Sequence, residues 1–341
     1  MKIFAIETSC DETSCSIIED GIKEIVTITT SSANLHLKTG GVVPEVAARK
    51  QSDSILPAID ECIKTSGLDD LSQIDKFAVT VGPGLIGSLV VGVSAAKSLS
   101  LLYQKPLIPV NHLIGHIYGN FINNEHYKEI KFPAIVLIVS GGHTDLVLMK
   151  DHGVFEYLGG TLDDAAGEAF DKVARLLGFS RYLGGAELSR CAASCTDKLN
   201  YNLFPRAMLD RDNYDFSFSG LKTASLRAYE KNTFSVSQLA YEFEASVVDV
   251  LVGKTIKAAQ KYKVGTILLG GGVSANKKLR EQIFEEGKRY NKKVFFPNLS
   301  YCGDSAAYIA GAAYFTYKKM PKKQLQDIIP DPSLTIMDVY P

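Results

Sequence analysis

Two histidines four residues apart, His112 and His116, carry the clearest chemical signal in the chain. On a helix that spacing sets both imidazoles on one face, about one turn apart, where they can chelate a single metal ion. A pair of capping or buried histidines is the other reading of the same spacing. Leu113 stands where the zinc-protease pattern H-E-x-x-H has its glutamate, so no water-activating carboxylate lies beside the pair. A third ligand must come from elsewhere. Asp304, in Cys302-Gly303-Asp304-Ser305 at the mouth of an expected helix, is the candidate. Two nitrogens and one carboxylate with open positions suit Fe(II) or Zn(II), one ion per subunit, acting by Lewis-acid polarisation of a substrate oxygen.

Glycine-rich turns give a second signal, because glycine lets a backbone come close to phosphate and consecutive turn N–H groups form an anion nest. Gly270-Gly271-Gly272 follows an apolar run and precedes an expected helix, so a nucleotide can lie on it. It is neither a Walker A loop nor a G-x-G-x-x-G, and a tight turn without a ligand is the plainer reading of any one such turn. Glu7, Asp11 and Glu12 share the first polar turn, where acids can bind magnesium, act as bases or cap a helix. In the stretch 163–172, helix-dipole complementation accounts for Asp163 and Asp164 but not for Asp171. Spacing alone assigns no mechanism to Phe216-Ser217-Phe218-Ser219-Gly220-Leu221-Lys222-Thr223.

Strands and helices must alternate to hold these groups. A strand is expected at 3–6, a polar turn at 7–13, and a return strand at 16–18. A helix at 45–66, a strand at 77–81, Gly82-Pro83-Gly84, a small-residue helix at 86–101 and a strand at 107–110 lead to His112. The opening pattern then repeats, with an apolar strand at 134–139, the turn Ser140-Gly141-Gly142-His143-Thr144 and a return at 145–149. Helices follow near 162–178 and 236–262, around an irregular stretch at 179–235 that reads as an insertion. A strand at 266–269 precedes the triple glycine. Alternation of this kind argues for an α/β fold with parallel or mixed sheets. The expected division is 1–131, 132–325 and a C-terminal tail at 326–341.

At about 100–200 residues per domain, 341 residues suggest two domains or lobes, and 46% hydrophobic with 22% charged residues is ordinary globular composition. The six cysteines are dilute and form no CxxC pair, which points to free thiols in a reducing cytosol rather than to staples or a zinc knuckle. Glu7 interrupts the N-terminal apolar run too early for a signal peptide, and no run approaching about 18 apolar residues is expected to span a membrane. A cytoplasmic protein is the expectation. The net charge of −1 conceals 15 Lys+Arg against 4 Asp+Glu between 254 and 323. Such a segment is either a nucleic-acid footprint or a solvated lysine surface.

Together these motifs resemble the TsaD family of tRNA threonylcarbamoyladenosine transferases. The matching pieces are I-E-T-S-C-D-E-T at 6–13, G-G-V-V-P-E at 40–45, G-P-G-L at 82–85 and N-H-L-I-G-H at 111–116. They continue with V-S-G-G-H-T at 139–144, D-D-A-A-G-E-A-F-D-K at 163–172, F-S-F-S-G-L-K-T at 216–223 and G-G-G-V-S-A-N at 270–276. The resemblance implies an actin/Hsp70/sugar-kinase fold (ASKHA), two duplicated lobes around a nucleotide cleft. It implies transfer of threonylcarbamoyl from its adenylate to N6 of adenosine 37 in tRNAs reading ANN codons. It puts metal ligands at His112, His116 and Asp304, and adenylate contacts at Ile138, Val139, Ser140, Gly141, Gly142, Asp171, Gly185 and Asn276. The implied partners are tRNA, a TsaB-like paralogue and a TsaE-like ATPase, with no membrane. An adenylate already carries a good leaving group, so no covalent nucleophile is required. Glu12 or a metal-held water is the candidate for taking the N6 proton.

Three departures from the family pattern stand out. Y-P-G-G-P becomes Tyr182-Leu183-Gly184-Gly185-Ala186, C-T-D-N becomes Cys302-Gly303-Asp304-Ser305, and S-R-x-H becomes Ala48-Arg49-Lys50-Gln51. A catalytically altered paralogue serving as a nucleotide- and partner-binding scaffold is therefore the alternative. Retention of both histidines and Asp304 argues against it. A metalloprotease lacks its glutamate here, and a small-molecule kinase would have to release ADP.

Overall fold

The computed structural model describes residues 1–37, 40–180, 182–197, 202–321 and 323–341. Strands β1 (Lys2–Glu7), β2 (Glu12–Glu19) and β3 (Lys23–Ser31) form an antiparallel meander. After the short α1 (Ala33–His36), α2 (Pro44–Ser66) starts with proline in its first turn and stops at Gly67, whose φ of 73° suits a residue without Cβ. β4 (Lys76–Gly82) then pairs in parallel with β1. α3 (Ile86–Tyr103) leads to β5 (Leu107–Asn111), parallel to β4, and α4 (His112–Tyr118) follows without a linker. The sheet order is β3-β2-β1-β4-β5.

The same order is built a second time. β6 (Ala134–Val139), buried at every position, pairs antiparallel with β7 (Thr144–Asp151), which neighbours β8 (Val154–Gly160). Four helices follow, α5 (Ala166–Leu176), α6 (Gly185–Ala193), α7 (Ser219–Glu230) and α8 (Val236–Lys261). A reciprocal capping box of Ser235 and Gln238 opens the last of them. β9 (Thr266–Gly270) returns parallel to β6, and after α9 (Lys277–Arg289) β10 (Lys293–Phe295) lies parallel to β9. The order β8-β7-β6-β9-β10 repeats the first sheet strand for strand. Finally α10 (Ala306–Thr316), almost entirely Ala, Gly, Ile and aromatic residues, is buried against β1 and β2.

By contacts, one unit comprises Met1–Glu129, Asp151–Phe155 and Pro297–Pro341, the other Ile130–Lys150 and Glu156–Phe296. This differs from the contiguous halves drawn from the sequence. Residues 297–325 join the first unit, because α10 fills the face of the first sheet. The basic segment therefore divides at Pro297, and within it Lys257, Lys277, Lys288 and Arg289 are already paired with acids. Lys322 of that segment, and Arg181 and 198–201 of the expected insertion, lie outside the described residues. The rest of 179–235 is more ordered than expected, since it contains α6 and α7.

One helix also departs from expectation. α3 is 18 residues long with a hydropathy of 1.5, so by length and composition it could cross a bilayer. Here it packs on α2 and β4, with Leu89, Val93 and Ala96 turned inward. Ile86, Val90, Leu101 and Leu102 stay exposed.

Two local features carry predictions. Gly271, between β9 and the turn Gly272–Ala275, has φ of 88°, and a Cβ there would lie 2.4 Å from the carbonyl oxygen of Val139. Gly271→Ala is expected to cost about 1–3 kcal/mol in strain, read as a lowered urea midpoint. His152 stacks on Phe315 at 4.4 Å and on Tyr118 at 5.6 Å. Burial lowers its pKa from 6.5 to about 4, with Lys319 adding to the effect and Asp151 opposing it. The unfolded chain then binds this proton first, so the contribution is complete above about 6.5 and is lost as pH falls toward 4. His152→Phe should flatten the acid limb of a stability–pH curve between those values. Identical limbs in the two proteins would assign the acid sensitivity elsewhere.

Candidate functional site

Glu7, the last residue of β1, is fully buried and makes three hydrogen bonds. Its Oε1 accepts from the backbone N–H of Ser9 at 2.5 Å, and its Oε2 accepts from Thr80 Oγ1 at 2.5 Å and from His112 Nδ1 at 3.0 Å. Burial works against the charged carboxylate. The imidazolium of His112 and these hydrogen bonds outweigh it, and the carboxyl is held below its ordinary range. Burial likewise disfavours a charged His112, but Glu7 and Asp304 prevail and raise it to about 9. A carboxylate on Nδ1 fixes the ring and its tautomer, leaving Nε2 as the ligand atom.

His116 follows one turn later on α4, its ring 4.6 Å from that of His112 at 74°. Asp304 arrives from the turn before α10. Its Oδ1 lies 3.6 Å from His112 Nε2 and 3.6 Å from His116 Nε2. Those separations are too long for hydrogen bonds, and they are about what two ligands 2.0–2.2 Å from one ion would show. All three ligand atoms fall within 4.8 Å of one another. The donor set thus fits a divalent ion of the Fe(II) or Zn(II) kind. Burial raises the pKa of Asp304, with His112 opposing and Glu7 and Asp11 adding to it. Glu12, at the start of β2, is pushed up to about 8 by burial and by Asp304 and Asp11.

Two of the sequence departures have local explanations in this unit. Gln51 on α2 donates through Nε2 to the carbonyls of Cys10 at 2.8 Å and Glu12 at 3.0 Å, tying down the acidic turn. Ser305 accepts from the N–H of Ala307 and so caps α10 beside Asp304.

The second unit holds a cavity of about 470 Å³ with few polar groups on its walls. Of the expected adenylate contacts, Gly141, Asp171, Gly185 and Asn276 line it, with Leu183, Ala186 and Val273 as apolar walls. Ile138 and Val139 are wholly buried within β6, and only their backbone extends toward the turn. Ser140 shapes that turn, its Oγ accepting from the N–H groups of Gly142 and His143. Asp171, whose role the helix dipole left open, accepts from the N–H of Gly185 at 2.8 Å. That bond helps hold the loop that has lost both prolines, and Leu183 there adopts φ of 54°.

Asn276 caps α9 through Oδ1 and donates through Nδ2 to Ser189 Oγ at 3.0 Å and Glu244 Oε1 at 2.7 Å. Glu244 and Ser189 escaped the sequence reading. One acid among three inside a long helix carries no local signal. Asp163 explains the Phe216–Thr223 motif, because its carboxylate accepts from Ser217 Oγ, Ser219 Oγ and the N–H groups of Phe218 and Ser219, capping α7 from a distant loop.

Comparison with known proteins gives the family of the chain. Residues 24–311 match the family model TsaD, described as tRNA N6-adenosine threonylcarbamoyltransferase. A Kosmotoga olearia protein of that name is 46% identical over 320 residues, covering 94% of each chain. One from Dehalococcoides mccartyi is 47% identical over 339 residues, covering 98% of this chain and all of its own. Among solved structures, HypF of T. kodakarensis matches 93% of this chain with TM-score 0.63 at 13% identity, this chain spanning 48% of it. Component A of the Acidaminococcus fermentans (R)-2-hydroxyglutaryl-CoA dehydratase matches 94% of this chain and 98% of its own, with TM-score 0.53 at 16% identity. At such identities these two speak for the fold alone, the two-lobed ASKHA type. With its motifs in order and nearly its whole length matched, the chain belongs to the TsaD family of tRNA N6-adenosine threonylcarbamoyltransferases.

Proposed function

We propose that this transferase, which forms threonylcarbamoyladenosine in tRNA, holds one Fe(II) or Zn(II) ion per subunit on His112, His116 and Asp304. The donor is threonylcarbamoyl-adenylate, and the acceptor is N6 of adenosine 37 in tRNAs reading ANN codons. The observation that carries the metal reading is the convergence of the three ligand atoms within 4.8 Å, with His112 oriented by the buried Glu7. When bound, the ion would hold the threonylcarbamoyl group and polarise its carbonyl. The cavity of the second unit is the seat for the adenylate, with Gly141, Asp171, Gly185 and Asn276 as its polar contacts. Ile138, Val139, Ser140 and Gly142 serve through the backbone that shapes its first turn.

The chemistry asks little of the side chains. N6 attacks the carbamoyl carbon, the bond to the phosphate oxygen breaks, and AMP leaves with the electron pair. Glu12 takes the N6 proton. It lies half-buried in the acidic turn beside Asp304 and Asp11, where burial and their charges favour its holding a proton. A TsaB-like paralogue and a TsaE-like ATPase are the proposed partners, and Leu56, Leu101 and Leu102 on α2 and α3 are exposed apolar side chains that one of them would cover. The reaction is assigned to the cytoplasm, where its tRNA is found. A scaffold paralogue would have no use for an intact ligand set.

The test is product formation in unmodified ANN-decoding tRNA, with synthetic threonylcarbamoyl-adenylate and the bacterial partners supplied. Wild type should form the modified nucleoside, and Asp304→Ala should form none at matched protein and metal. Absence of product from metal-loaded wild type would sink this reading. Glu7→Gln removes the charge that orients His112, and Zn²⁺ affinity measured by chelator competition should fall about 10–100-fold. An unchanged affinity would mean that α4 alone sets the ring.

A further inference from the structure

Asn111 closes β5 and opens α4, and both ends of its buried amide are engaged. Oδ1 accepts from the N–H of Leu113 at 2.9 Å and so caps the helix that carries both histidines. Nδ2 donates to two carbonyls from far along the chain, Thr335 at 2.8 Å and Asp338 at 3.0 Å. Both amide protons and the oxygen of this buried side chain are thereby used.

The stretch that supplies those carbonyls is itself shaped and anchored. The Asp338 carboxylate accepts from the N–H of Thr335 at 2.7 Å and from its Oγ1 at 2.8 Å, and the N–H of Asp338 donates to the Thr335 carbonyl at 3.0 Å. Ile336 is buried between them. Upstream, the N–H of Asp331 donates to the carbonyl of Val81 at 2.7 Å, the last pair before Gly82. A Cβ on Gly82 would lie 1.8 Å from the Asp331 carbonyl oxygen, so this close approach needs glycine.

α4 has seven residues, too few to hold its own geometry in water, so its packing on α10 and the contacts at its ends together set its direction. We infer that residues 331–339 brace α4 through Asn111, which makes Asn111 and Asp338 positioning residues for His112 and His116. The inference rests on the metal reading proposed above. It adds that the metal ligands are held by three separated parts of the chain: Glu7 on the ring of His112, the turn before α10 that presents Asp304, and the 331–339 stretch on the helix cap.

The test uses the full chain with Zn²⁺ as the probe in competition with a chromogenic chelator, alongside hydrogen exchange at the Leu113 and Ile114 amides. Asn111→Asp keeps the capping oxygen but cannot donate to Thr335 and Asp338. Asp338→Ala loosens the brace from an exposed position and leaves α4 untouched. Both are expected to weaken Zn²⁺ binding about 10–100-fold and to accelerate exchange at the two amides. His116→Ala should lose Zn²⁺ while keeping wild-type exchange. Wild-type affinity and exchange in Asp338→Ala would overturn the brace, even if that variant melts earlier. Zinc binding by wild type that does not depend on His116 would instead overturn the metal reading, and amide exchange in Asp338→Ala would still decide whether the stretch holds α4.

Discussion

A carboxylate with no solvent exposure, Glu7, sits against an imidazole of its own unit, and the first sheet is arranged around that pair. An uncompensated buried charge costs several kcal/mol, so Glu7 tolerates its position only with every partner in place. Those partners come from its own turn (Ser9), from β4 (Thr80) and from α4 (His112). Register between β1 and β4, and the direct passage from β5 into α4, are therefore coupled to one polar contact. Asp304 then completes the cluster from beyond the second unit's sequence, delivered by a helix of small residues that packs closely on β1 and β2.

The two units share a strand order and put it to different ends. In each, the turn between the first two strands lies at the ends of the central parallel strands, where a ligand is most readily met. The first such turn carries Glu7, Asp11 and Glu12, and acids there belong beside a cation. The second carries Ser140, Gly141 and Gly142, with open space where their Cβ atoms would point for both glycines. Small residues that let a backbone come close suit a nucleotide. Duplication supplied two frames, and the chemistry of one turn in each decides what that frame can hold.

Much of this was legible in advance. The strand at 134–139 and the long helices announce themselves by apolar runs and periodicity, and their observed bounds lie within a few residues of those expected. Less legible were β3, β8 and β10. β3 and β8 are edge strands with few buried positions, so no apolar alternation marks them, and β10 has only three residues. The 179–235 stretch concealed α6 and α7, since α7 relies on a capping carboxylate 56 residues away rather than on its own first residues.

By itself the sequence determined the residue types that chemistry requires, the helical spacing of His112 and His116, the glycine turns and the internal repeat. These are local properties, and local sterics and hydrogen bonding encode them. Only the tertiary structure decided that Glu7 and not another acid orients His112, that Gln51 ties down the acidic turn, and that Asn111 joins the ligand helix to residues 335 and 338. Glu7 lies 105 residues from His112, and Asn111 lies 227 from Asp338. Contacts at such separations have no period or motif to announce them. They exist because burial leaves each polar group with no partner but the one that folding brings to it.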